Sequence, residues 1–280
     1  MQAGGMRGIY SMGALAALED AGLRDAFAVV VGTSAGAING AYFLAGQVQE
    51  ALRLYVEQLA SHRFVNRWRL NKIVDVDYLI DVVMKQNLPL NLEVLRNSNT
   101  LLKVVVANAD TGEEEIFTNR SLGDDFYEVM RASVAIPGLY NKKVLIGESL
   151  YVDGGTVHGI PVRHAVNEGV GAVLTILTRN PGYRKLTKSV LYRIAARAMA
   201  RGQSKSILNH LGHENDSFNK TMAMLEGKNG VEDFCGWTLW PSDHSELVSR
   251  STIDKGKLQR CSAMGWRDMN ALLDRELDPI

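Results

Sequence analysis

The 280-residue chain has only two cysteines, Cys235 and Cys261, and they form no C-x-x-C pair. Two isolated thiols exclude a disulfide framework and a cysteine-built zinc site, and they fit a reducing compartment. An excess of either charge is also missing, since 31 Lys and Arg face 31 Asp and Glu. No global field therefore draws the chain to nucleic acid, and no nucleic-acid partner is expected. The opening residues lack the basic start and apolar core of a secretory signal, so a cytoplasmic location is expected. Ala26 to Gln49 carries no charged side chain and has the length of a membrane span, but Gly32, Ser34, Gly36, Asn39 and Gly40 interrupt it. No transmembrane segment is expected. Repeats, glycine-serine tracts and low-complexity stretches are absent, so residues 1–280 read as one domain, with a core over about 1–180 and a mostly helical extension over about 181–280.

The sequence does contain apolar runs that alternate with helical patterns. Phe27–Val31, Leu101–Ala107 and Gly171–Leu177 are short, valine-rich or otherwise apolar runs, the signature of strands buried on both faces. Glu114–Thr118 suits a strand beside the second of these, and Lys143–Ile146 and Leu150–Val152 suit two short strands joined around Gly147. Between them, Tyr10–Ala21, Ala35–Leu44, Gln49–Leu59, Asp75–Lys85 and Asp124–Ala135 have helical spacing, and Pro161 opens another helix. This order predicts an α/β fold with a mainly parallel central sheet sandwiched by helices. Beyond Arg179 the pattern is mostly helical, with one strand at Phe234–Trp240 and a helix over Asp254–Arg275.

The chemistry is concentrated in three glycine-bearing segments. Gly32-Thr33-Ser34-Ala35-Gly36 is a G-x-S-x-G that follows a strand directly and precedes a helix directly, the context of a nucleophile elbow. A serine hydroxyl needs a neighbouring base, and two candidates follow. Asp153 ends a strand and is followed by Gly154 and Gly155, so its carboxylate can stand at the strand's C-terminal edge. His158 is the histidine alternative, because the other five lie in poorly matched contexts; none forms a zinc-peptidase pattern, and neither a metal nor a cofactor is expected. A carboxylate is a weak base for serine, so much of the rate must come from stabilising the oxyanion. Ala3-Gly4-Gly5-Met6-Arg7-Gly8, a glycine-rich turn before a helix, offers backbone N–H groups for that purpose.

Together, Gly4-Gly5-Met6-Arg7-Gly8, Gly32-Thr33-Ser34-Ala35-Gly36 and Asp153-Gly154-Gly155 resemble the three ordered motifs of patatin-like phospholipases, particularly the bacterial branch. Ala132-Ser133, Ile136-Pro137, Ile160-Pro161-Val162 and Leu177-Thr178-Arg179 extend the similarity over roughly the first two thirds of the chain. The resemblance implies lipid acyl-ester hydrolysis through an acyl-enzyme by a Ser–Asp dyad. It makes Ser34 the nucleophile, Asp153 the base, and the amides of Gly4, Gly5 and Met6 the oxyanion hole, with Arg7, Gly8, Gly32, Gly36, Gly154 and Gly155 in support. The family pattern also places a hydrophobic strand and a further glycine ahead of this loop, whereas Met1-Gln2-Ala3 precede Gly4 here. A longer protein carrying that strand is therefore expected.

Lys185–Lys205 contains no acidic residue and repeats Arg193, Arg197, Arg201 and Lys205 at four-residue spacing. It reads either as a solvated basic face or as a helix lying on an anionic membrane. His62, Arg63, Phe64, Arg67, Trp68, Arg69 and Lys72 form a second basic-aromatic patch with the same two readings. Two other functions compete with the hydrolase: an acyltransferase, for which His158 would serve the serine, and a catalytically silent lipid-binding module.

Overall fold

The computed structural model describes residues 1–69, 72–121, 125–186, 202–227 and 235–277. The charge-free stretch that has the length of a membrane span folds into the interior of the protein. Its first half is strand β1 (Val29–Thr33) and its second half helix α2 (Ala35–Leu44), every residue of which is buried. No helix among the described residues is long and apolar enough to cross a membrane. Helix α1 (Gly8–Asp20) is equally hidden, buried from Gly8 to Leu18. It packs against the long C-terminal helix Lys255–Leu277, where the Tyr10 hydroxyl donates to Asp268 Oδ2 at 2.9 Å.

The registers around strand β2 (Leu101–Asn108) position the site. β1 runs parallel to β2, with Val29 opposite Leu101 and Thr33 opposite Val105. Strand β3 (Glu114–Thr118) runs antiparallel to β2 from Lys103 to Ala107, and so takes the other edge. Strands β4 (Val144–Ile146) and β5 (Ser149–Asp153) form a hairpin through Gly147, whose φ of 59° suits so short a turn. β5 pairs antiparallel with β2, placing Asp153 opposite Val106 and Tyr151 opposite Asn108. Val106 and Ala107 are paired with both β3 and β5, just as Lys103 to Val105 are paired with both β3 and β1. A strand has only two edges, so β1 and β5 must share one of them. They lie end to end along β2, and their C-terminal ends meet between Val105 and Val106, one residue step of about 3.4 Å.

The α/β class expected from the sequence is the one observed. Parallel pairing holds β1 to β2 and a second pair, β6 (Val173–Ile176) and β7 (Gly236–Leu239), to each other, while β3, β4 and β5 join antiparallel. The β2–β3 and β4–β5 pairs are antiparallel because their short connections leave no length for a crossover. β6 is not hydrogen-bonded to β1, and a cavity of about 270 Å3 separates the two strands. Residues 1–3 bridge the end of this gap: the Met1 amine donates to the Val31 carbonyl at 2.7 Å, Gln2 N to Ile176 at 3.2 Å and Ala3 N to Gly159 at 2.9 Å. The two amphipathic segments predicted at Gln49–Leu59 and Asp75–Lys85 are helical with widened π turns over Leu54–Leu59 and Tyr78–Asn87. Of the basic segment 185–205, residues 187–201 lie outside the described residues.

Candidate active site

Ser34 occupies the step from β1 into α2 with φ 57° and ψ −127°, and it is the one non-glycine residue with positive φ among the described residues. A backbone held in that region is strained and persists only when its surroundings over-determine it. The flanking sequence explains how the turn is possible. A Cβ on Gly32 would lie 2.4 Å from the Gly36 carbonyl oxygen and 2.5 Å from the Ala37 nitrogen, so the sharp return of the chain requires glycine at that position. Ser133, on helix α3 (Phe126–Val134), locks the turn to the sheet. Its hydroxyl accepts from Ser34 N at 2.9 Å and donates to the Val105 carbonyl at 3.0 Å.

Asp153 reaches the same place from the other strand. It is buried, and its Oδ1 accepts from the Gly155 amide at 2.6 Å, which fixes the orientation of the carboxylate. Gly154 packs against the Val105 carbonyl and Gly155 against Thr33, so the turn after Asp153 lies directly on the end of β1. Ser34 and Asp153 line one cavity of about 120 Å3 together with Ala3, Gly4, Gly5 and Met6. Most of its remaining wall is apolar, with Ile38, Leu54, Leu59, Val76, Leu79 and Val134 among the side chains. The sequence motifs that were read separately therefore converge on one apolar pocket.

The glycine-rich loop is arranged differently from the simple reading of its sequence. Gly5 has φ 54°, and a Cβ on it would lie 2.9 Å from the Arg250 carbonyl oxygen. That same carbonyl accepts from Met6 N at 3.1 Å, so the Met6 amide is already engaged. Ala35, which carries the first helical amide after the serine, lines the cavity at the positive end of α2. Arg7 is buried beneath the loop, its Nε meeting no acceptor. Burial, and then the charges of Arg250 and Arg179, bring its guanidinium down to about 8.

His158 does not line this cavity. Its Nδ1 stands 2.6 Å from Glu114 Oε1 in an ion-pair contact off the hydrogen-bond axis, and His164 Nε2 lies 3.2 Å from Glu114 Oε2. Burial pushes the Glu114 carboxyl up, but the two histidines outweigh it and hold the group down at about 2; the Glu114 carboxylate in turn raises His158. Sequence reasoning missed Ser133 as a tether, the Ala35 amide and the role of the Arg250 carbonyl. The second carried a signal because it follows the elbow serine directly, and the first lies in the Ala132-Ser133 segment of the family pattern, which marks the residue but not its bonds.

A strained serine at a strand-to-helix turn, a carboxylate at a neighbouring strand end and a glycine loop over an apolar cavity define an α/β protein of the nucleophile-elbow class. The chain belongs to the patatin-like phospholipase family, which it matches over residues 1–166. It is 28% identical over 183 residues to the uncharacterized protein YjjU of Escherichia coli (strain K12), a match covering 63% of this chain and 50% of YjjU. The chain thus spans about half the length of that relative. Its fold is similar to that of VipD from Legionella pneumophila, with a TM-score of 0.54 and 14% identity over 98% of this chain and 66% of VipD.

Proposed function

We propose that this chain is a serine-dependent lipid acyl hydrolase in which Ser34 is the nucleophile and Asp153 the base. The observation that carries the proposal is the end-to-end meeting of β1 and β5 on β2, which brings the elbow serine and a buried carboxylate to one apolar cavity. In the first step Ser34 Oγ attacks the ester carbonyl carbon and Asp153 accepts the hydroxyl proton. The amides of Gly4, Gly5 and Ala35 stabilise the oxyanion, and the Met6 amide, held by Arg250, positions the loop instead. Collapse of the tetrahedral intermediate breaks the ester C–O bond, and the alcohol leaves with the proton from Asp153. Water, deprotonated by Asp153, then attacks the acyl-serine; the second tetrahedral intermediate breaks its C–Oγ bond, Asp153 returns the proton to Ser34 Oγ, and the acid leaves.

The apolar wall supports an acyl chain as the recognised group, and the family to which the chain belongs supports a lipid ester as the substrate class. The pairing of His158 with Glu114 supports the carboxylate over the histidine as base, and with it the hydrolase over the histidine-dependent acyltransferase. The test is a panel of acyl esters of increasing chain length, assayed in parallel on the wild type, Ser34→Ala and Asp153→Asn. We expect a fall on the order of 10⁴-fold or more in kcat for Ser34→Ala. For Asp153→Asn the expected fall is roughly a hundred- to ten-thousand-fold. Wild-type turnover that survives either change rejects the dyad.

A further inference from the structure

The two most exposed large apolar side chains among the described residues, Trp68 at 93% and Leu186 at 86% exposure, are carried by segments that also line the catalytic cavity. Trp68 lies three residues beyond Val65, and Leu186 directly follows Lys185; Val65 and Lys185 both line that cavity. The segments that carry the two side chains are built in rather than incidental. Val65 bridges to Val74 across the Trp68 loop, and Asn66 Oδ1 accepts from Trp68 N at 3.0 Å. Arg67 Nη2 donates to Ser251 Oγ at 3.2 Å, joining this loop to the one that carries Arg250, another lining residue.

The unbalanced charge on this rim is positive. Arg69 and Lys72 are balanced by Asp75 and Asp77. Arg63, Arg67 and Arg250 are exposed and form no ion pair among the described residues; Arg63 stacks over the Tyr78 ring at 4.2 Å. A highly exposed tryptophan and leucine on segments that line the cavity, with arginines that form no ion pair among the described residues on the same rim, combine apolar insertion with attraction to anionic head groups, which is how peripheral proteins grip a bilayer. A soluble protein partner would be met by a packed apolar patch with pockets, whereas here two isolated side chains project beside cations.

We propose that the mouth of the catalytic cavity is a docking surface for an anionic lipid bilayer, with Trp68 and Leu186 entering the interface and Arg63, Arg67 and Arg250 facing the head groups. The purpose of such a surface rests on the hydrolase reading, since it would open the cavity toward esters held in the membrane. The binding itself does not depend on turnover.

The test uses the full chain with Ser34→Ala, co-sedimented with vesicles of phosphatidylcholine alone and of phosphatidylcholine with phosphatidylglycerol. Tighter binding to the anionic vesicles is expected. Trp68→Ala should weaken it about fivefold, and Leu186→Ser by a similar factor. Arg67→Glu should weaken it roughly tenfold or more. Leu145→Ser, which removes an exposed side chain that does not line the cavity, should leave binding unchanged. Each variant is also assayed, with Ser34 intact, on a short soluble ester; unchanged turnover there shows that the fold and dyad persist. If the soluble ester is not hydrolysed even by the wild type, the hydrolase reading fails while the vesicle result stands by itself. Binding that ignores phosphatidylglycerol, or that survives both Trp68→Ala and Arg67→Glu, overturns the docking surface and leaves another partner to cover it.

Discussion

Along one edge of β1, every residue from Val29 to Thr33 is matched to a residue of β2, whereas along the other edge β1 faces β6 across a cavity of about 270 Å3. The catalytic candidates divide in the same way. Ser34 and Asp153 continue strands registered on β2, and Ser133 ties the elbow to β2 through Val105. The glycine loop sits at the end of the open edge, held by individual hydrogen bonds from residues 1–3 and by Gln2 Oε1, which accepts from the Thr178 amide and hydroxyl. Sheet register fixes two residues at once, because a slip would turn every side chain to the other face. Isolated bonds fix one residue each. Ser34 and Asp153, the proposed nucleophile and base, should thus be the rigid half of the site, and the proposed oxyanion loop the half most easily loosened.

The strongest way to break this contrast is at Ser133. Ser133→Ala leaves the Ser34 amide and the Val105 carbonyl without their partner in a buried setting, at about 1–3 kcal/mol for each orphaned group. Urea unfolding should show that loss, and kcat should fall at least about tenfold as the elbow relaxes. Stability within about 0.5 kcal/mol of wild type would remove Ser133 as the tether. On the open edge, Gln2→Ala should cost about 1 kcal/mol and act on kcat rather than KM, because it frees the loop without touching the acyl wall. A change confined to KM would unlink the loop from oxyanion binding.

The smallest effect is expected at the start of β3, where Glu114 meets His158 and His164. The Glu114 carboxyl, with an ordinary value of 4.5, is held at about 2 in the folded protein, so its contribution is present above 4.5 and lost as pH falls toward 2. His158 is raised above 6.5, so its contribution is full below 6.5 and lost as pH rises through the raised value. Both contribute between about 4.5 and 6.5. Glu114→Gln should therefore lower Tm more at about pH 5.5 than at about pH 8.5, and only modestly, since His158 is 39% exposed and the pair is screened by solvent. An equal loss at both pH values would mean that the contact is packing rather than charge.

Much of this was legible in the sequence because it is local. The valine-rich strand, the glycines around Ser34 and the turn after Asp153 each announce a backbone shape within five residues, and helix α2 declares its burial by lacking any charge. What was not legible is long-range. Nothing in the sequence says that β5 abuts β1 on the same edge of β2, although that is what brings Ser34 and Asp153 to one cavity. The engagement of the Met6 amide by a carbonyl at residue 250, and of His158 by Glu114, likewise depend on tertiary packing that has no periodicity to read. The same holds for the partners of Ser133: the Ala132-Ser133 segment marks the residue through the family resemblance, but not its hydrogen bonds to Ser34 and Val105.

The pairing of Ser34 with Asp153 is tested most directly by fluorophosphonate labelling of the wild type, Asp153→Asn and His158→Ala, with the adduct located by peptide mass spectrometry. A single adduct on Ser34 is expected, formed at nearly the wild-type rate in His158→Ala and far more slowly in Asp153→Asn. An adduct elsewhere in the chain, or a rate that falls with His158 and not with Asp153, would contradict it.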